Sequence, residues 1–144
     1  MKYQVGKVGR IIIARFKDKE DMLENLADIA IKEKIKAAVF YVVGGMREGS
    51  IVVGPEKEKI PPKPVWKKLK ESHEVFGIGT IFWEKNAPKI HFHGGFGKKN
   101  MVKIGCLRGK SKIFLVLEAV IIEIKGVKAV REFDPLSGLT LLKL

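Results

Sequence analysis

The sequence predicts an α+β domain: a mainly antiparallel β-sheet of half-barrel form carrying one long packed helix. Three observations lead there. Only one stretch, near the N-terminus, holds apolar residues at helical spacing. The rest is a succession of short β-branched and aromatic runs broken by glycine and proline. The connections between those runs are too short for the crossovers that parallel strands need.

"GRIIIARF" (9–16) reads as a buried strand. In "KDKEDMLENLADIAIKEK", Met22, Leu23, Leu26, Ile29 and Ala30 recur at helical spacing. Asp18 is the expected N-cap, Glu20 and Asp21 suit the positive end of the helix dipole, and Lys32, Lys34 and Lys36 suit the other end. "AAVFYVVGG" and "SIVVG" read as two strands, a hairpin or a bent pair, joined by "MREG". Pro55, Pro61, Pro62 and Pro64 forbid regular structure in the next stretch. "VWKKLKES" is a short helical turn or an irregular strand, "HEVFGIGTIFW" a strand, "EKNAP" a turn and "KIHFH" a strand. "GGFGKKNMVKIG" reads as a loop, "SKIFLVLEAVIIEI" as a long strand apolar on both faces, and "GVKAVREF" and "LTLLKL" as closing strands. With 144 residues and no linker or repeat, one domain spanning 1–144 is expected.

The charge is +12 and largely lysine; the arginines are Arg10, Arg15, Arg47, Arg108 and Arg131, and Asn and Gln are scarce. Such a balance permits nucleic-acid binding. Lysine-rich, amide-poor composition is also typical of hyperthermophile surfaces, and a thermophilic origin is the preferred cause of the charge. Any DNA binding is expected to be weak, salt-sensitive and poorly specific, because lysines position on phosphate and base reading favours arginine and amides. No run approaches the ~20 apolar residues of a membrane span, and "MKYQVGKVGR" lacks a signal-peptide pattern. A cytoplasmic protein is expected, with no membrane partner.

Candidate chemistry gathers at "KIHFHGGFGKKNMVKIGCLRG". Alternate strand residues share a face, so Lys89, His91 and His93 lie together, with Ile90 and Phe92 opposite. Two imidazoles two apart can bind one ion. The plainer alternative is a half-buried strand with its polar side in water. Cys106, the only cysteine, forms no internal disulfide. A hairpin-like return could bring it beside the histidines and complete a three-ligand zinc set with an open fourth position, where bound water becomes more acidic. Its alternative is a small buried hydrophobe. Glu118, inside "IFLVLEAVII", reads as a buried carboxylate. It is a candidate catalytic group or second partner to the histidines, or else half of a structural ion pair with Arg15, which is itself carried as a candidate site residue. His73 has charged neighbours and no ligand spacing; a solvated or capping role is expected. "GGFGKKN" lacks the spacing of a phosphate loop.

In order along the chain, "ARFKDKEDMLENLADIAIKEKIKAAVFYVVGGM", "HEVFGIGTIFWEKNAPKIHFHGGFG", "IGCLRG" and "EAVIIEI" resemble the plants-and-prokaryotes conserved (PPC) domain family over almost the full length. The resemblance implies an α+β fold assembled as a homotrimer. Prokaryotic members are described as predicted DNA-binding proteins. It also implies likeness in fold to acetolactate decarboxylase and to a zinc-dependent ester hydrolase. Prokaryotic members typically carry a third histidine in a Gly-His-Leu step; here that step is Gly105-Cys106-Leu107. His91 and His93 match the motif, and Cys106 stands in the third ligand's place. Plant members lack these histidines and carry a separate AT-hook, which has no counterpart here. Two functions follow as expectations: a trimeric binding or regulatory module associated with DNA, or a zinc-dependent hydrolase or lyase acting on a small carbonyl or ester.

Overall fold

The structure is a computed structural model describing residues 1–144. In chain order it contains β1 (Lys7–Lys17), α1 (Met22–Lys32), β2 (Ala37–Pro55), β3 (Pro64–Leu69), β4 (His73–Glu84), β5 (Ala87–Lys98), β6 (Met101–Lys125), β7 (Val130–Asp134) and β8 (Leu139–Lys143). No helix is long and apolar enough to cross a membrane.

All pairing is antiparallel, and β2 and β6 are long enough to serve twice. The C-terminal half of β6 lies between β1 and β2, and its N-terminal half between β5 and the far end of β2. The sheet therefore curls without closing as a barrel. The two long strands bend where their registers slip, between Gly44 and Ser50 in β2 and opposite them in β6. Gly44 has φ +146, and a Cβ there would sit 2.4 Å from the Val116 carbonyl oxygen, so only glycine permits this close crossing. "MREG" is thus part of one bent strand and not a hairpin turn. "VWKKL" is a strand, β3.

The helix is where periodicity put it, and it buries Met22, Leu26 and Ala30 against Phe40, Phe92, Leu117 and Ile121 of the sheet. Each large side chain removed from water contributes about 1.5–3 kcal/mol. Its N-cap is Asp21, three residues later than expected from Asp18. Asp18 is drawn off by tertiary partners: it takes the Arg47 Nη2 at 2.7 Å and the Leu115 N–H at 2.9 Å. Asp21 accepts from the Leu23 and Glu24 N–H groups at 3.2 and 3.3 Å and from the Ser111 N–H and hydroxyl at 2.9 and 2.5 Å. It ties the helix start to β6.

The expected loop "GGFGKKNMVKIG" is a tight β5–β6 hairpin turning at Lys99-Asn100. The glycines that suggested a loop are cut for packing instead. A Cβ on Gly94 would lie 2.7 Å from the Phe92 ring. The C-terminal strands β7 and β8 form their own two-stranded sheet, laid over β4.

Directly opposed residues on neighbouring strands share a face. One face of the sheet holds the core and the helix. The other carries Ile13, Tyr41, Val43, Phe76, Ile78 and Ile104, all exposed, Phe76 at 66% and Ile13 at 72%. The histidines and the cysteine are on this outer face.

Candidate metal centre

Strand parity and one register pair assemble the centre. His91 and His93 point to the outer face of β5, and Cys106 of β6 stands directly opposite His93. The tight hairpin, not a flexible loop, sets that register. His91 Nε2 and His93 Nε2 lie 3.1 Å apart, with their rings nearly perpendicular at 76°. The two nitrogens and the Cys106 sulfur all fall within 4.8 Å of one another. Two nitrogens bound to one tetrahedral zinc stand about 3.3 Å apart. The imidazole pair already has that spacing, and a small closure of the thiol completes a His2Cys set. The donor set fits zinc.

The electrostatics prepare the imidazole and resist the thiolate. Burial, reinforced by Arg131, His93 and Arg108, pushes the His91 pKa down to about 4. His91 is therefore neutral, as a ligand must be, at ordinary pH. Burial pushes the Cys106 thiol up, while the charge and hydrogen bond of Arg108 pull the other way. A metal cation would supply the missing stabilisation of the thiolate.

A cleft of about 430 Å³ opens beside the three residues, lined also by Arg108, Trp66 and Leu139. A second hollow of about 360 Å³ lies on the other side of His91 and Arg108 and reaches Arg131. Arg131 comes from β7. Its Nη2 donates to Thr80 Oγ1 at 3.2 Å and lies 3.2 Å from His91 Nδ1, and its buried Nε has no partner. Sequence reasoning missed Arg108 and Arg131 as site residues. Arg108 was within reach, two residues beyond Cys106 and so on the same face, an arginine in a lysine-rich chain. Arg131 carried no such signal, because only the docking of the hairpin brings it to His91.

Glu118 and Arg15 are not in this site. Both are exposed, and they oppose each other across β1 and β6. Glu118 lies in the row of Gly95, Phe76 and Val43, three strands from β5, about 14 Å along the sheet. The apolar residues around Glu118 suggested burial; Leu117 and Ala119 beside it face the core, while Glu118 shares the outer face with Val116 and Val120. His73 is buried rather than solvated, its Nδ1 2.5 Å from the Glu71 carbonyl oxygen.

A sequence model of the Plants and Prokaryotes Conserved domain matches residues 3–125, most of the chain and all three candidate ligands. The chain belongs to that family. Among solved structures, this PPC chain is similar to a metal-containing protein from Archaeoglobus fulgidus, at 25% identity and TM-score 0.87, each chain covered in full. It is equally similar to a plant- and prokaryote-conserved protein from Pyrococcus horikoshii, at 25% identity and TM-score 0.86, covering 100% of this chain and 98% of that one. A candidate DNA-binding protein from Ralstonia eutropha shares the fold at 22% identity and TM-score 0.76, over 92% of this chain and 90% of that one. No curated protein sequence matches the chain.

Proposed function

We propose that this chain is a homotrimeric PPC-type binding and regulatory module, cytoplasmic, whose outer sheet face carries a single zinc ion on His91, His93 and Cys106. The observation that carries the reading is the convergence of two imidazole nitrogens and one sulfur within 4.8 Å, in a donor set with zinc's chemistry. The metal-containing relative from Archaeoglobus fulgidus supports it. Elemental analysis of protein purified without chelator tests it: about one zinc per chain is expected, and none in His91→Ala. Absence of stoichiometric metal, with added zinc binding no better to the parent than to the variant, overturns the site.

The trimer reading rests on the family resemblance and on the exposed apolar face, which association would cover. Light scattering at micromolar concentration is expected to return three times the monomer mass of 16.1 kDa. DNA association is weak in this reading. It is supported by the net charge of +12 and by a lysine-lined hollow holding Lys68, Lys70, Lys98 and Lys103. A DNA titration at low and physiological salt separates this from specific recognition, because phosphate contacts fade steeply with salt.

The open cleft beside the ligands favours a second reading, a zinc-dependent hydrolase or lyase acting on a small carbonyl or ester. A bound zinc would supply Lewis acidity and an acidified water there. His91 and His93 would hold the ion, and Trp66 and Leu139 would offer apolar contact to the body of the substrate. Hydrolysis of a small ester that depends on added zinc and vanishes in His93→Ala would decide for it.

A further inference from the structure

The contact between Arg131 and His91 conflicts with metal binding as it stands. With both Nε2 atoms turned to one ion, the His91 Nδ1 must carry the hydrogen. Arg131 has only donors to offer. Two N–H groups 3.2 Å apart repel, so the guanidinium must leave Nδ1 when the ion binds. Metal-bound histidines ordinarily rest that second nitrogen on a carboxylate or carbonyl; here it faces a cation. Metal-free, the arrangement is consistent: Nδ1 accepts from Arg131, and the Nε2 hydrogen turns to His93.

The guanidinium then keeps Thr80 Oγ1 as its one side-chain acceptor. The buried Arg131 Nε is already without a partner. Arg108 lies across the same hollow, and none of the ion pairs in the structure uses either arginine. Two guanidiniums converge beside a metal position with no acid between them. Pro62, Trp66 and Leu139 form an apolar wall in the adjoining cleft.

We propose that the site takes zinc together with a small carboxylate of short apolar body, which Arg131 and Arg108 hold by its oxygens. The guanidinium fork matches a carboxylate in two parallel hydrogen bonds and fits it better than a lysine would. The anion gives Arg131 the acceptors that His91 withdraws, and its charge offsets the repulsion between the arginines and the ion. Metal and carboxylate therefore bind cooperatively, with the C-terminal hairpin as the clamp. The inference rests on the zinc reading above.

The test uses full-length protein loaded with zinc, cleared of free metal and titrated calorimetrically with sodium lactate. Lactate is expected to bind the loaded protein at least about tenfold more tightly than metal-free protein, the lower end of ordinary coupling between sites. Arg131→Gln is expected to lose about tenfold in lactate affinity while keeping zinc. Arg131→Lys, which keeps the charge without the fork, is expected to fall between, and thermal unfolding checks that both variants are folded. Sodium phosphate binding more tightly than lactate overturns the carboxylate assignment. If the parent binds zinc but lactate ignores the metal or Arg131→Gln, this proposal falls and the zinc site stands. If the parent takes up no zinc, both fall together.

Discussion

Two polar clusters on this sheet make opposite use of their groups. Around Asp21 every donor meets an acceptor: the carboxylate takes four hydrogen bonds from α1 and Ser111, and the Ser111 oxygen takes the Leu23 N–H at 3.0 Å. Around His91 the balance is left open. Arg131 has an unpartnered Nε, the His91 pKa is driven to about 4, and the thiol of Cys106 is pushed up by burial. A closed polar network in a buried place holds the fold together. An open one is costly to the protein alone, and its cost is recovered when something binds.

The sharpest break in that contrast is at a ligand. His91→Ala is expected to weaken zinc binding more than about a hundredfold, beyond the 10–100-fold loss typical of removing a ligand's supporting partner. Its folding stability is expected to fall by only about 1 kcal/mol, because the half-buried neutral imidazole gives up no more than one hydrogen bond, from Arg131. Equilibrium dialysis and urea unfolding read the two effects.

Asp21→Ala is expected to do the reverse. It removes the helix cap and orphans the buried Ser111 N–H, costing about 3 kcal/mol of stability. Zinc affinity measured under folding conditions is expected to stay within about twofold, since additivity holds for distant sites. An equal loss in both readouts would mean the clusters are one unit.

Cys106 sharpens the comparison through pH. Because its thiol is held protonated, zinc must displace roughly one proton at neutral pH, and affinity is expected to climb with pH accordingly. Cys106→Ser is expected to lose most affinity near neutrality, where a hydroxyl stays protonated. Cys106→His is expected to retain binding with a flatter pH profile. Competition with a metal-sensitive dye across pH 6–9 measures all three.

A smaller effect concerns the metal-free fold. His91 titrates near 4 when folded and near its ordinary 6.5 when unfolded. Between those values the unfolded chain binds the extra proton, so this contribution to stability is full above 6.5 and is lost as pH falls toward 4. His91→Ala is expected to flatten that part of the acid limb in denaturation curves. Arg131→Gln, assayed without added carboxylate, is expected to raise zinc affinity about tenfold by removing a nearby cation.

The α+β class and the place of the helix were legible in the sequence because both are written in local periodicity. Strand parity by itself likewise put His91 and His93 on one face. The triad with Cys106 was legible in part: spacing allowed a return, and the family resemblance marked position 106 as a ligand's place. Parity stops at the strand's own edge, however. It says that Glu118 lies opposite Leu117 and Ala119, not which of the two faces is covered; the helix and the core took the Leu117 face, leaving Glu118 in solvent. Glycine likewise has two uses, turning a chain or clearing space for a ring, and only the Phe92 contact at Gly94 selects between them. Asp18 and Asp21 are both good caps locally; Arg47 and Leu115, distant in sequence, claimed the first. Arg131 marks the limit: no pattern along the chain ties it to His91, forty residues away, and only the docking of the β7–β8 hairpin over β4 brings its guanidinium to the imidazole. Short-range periodicity determines which residues can share a face, and long-range pairing decides what they meet there.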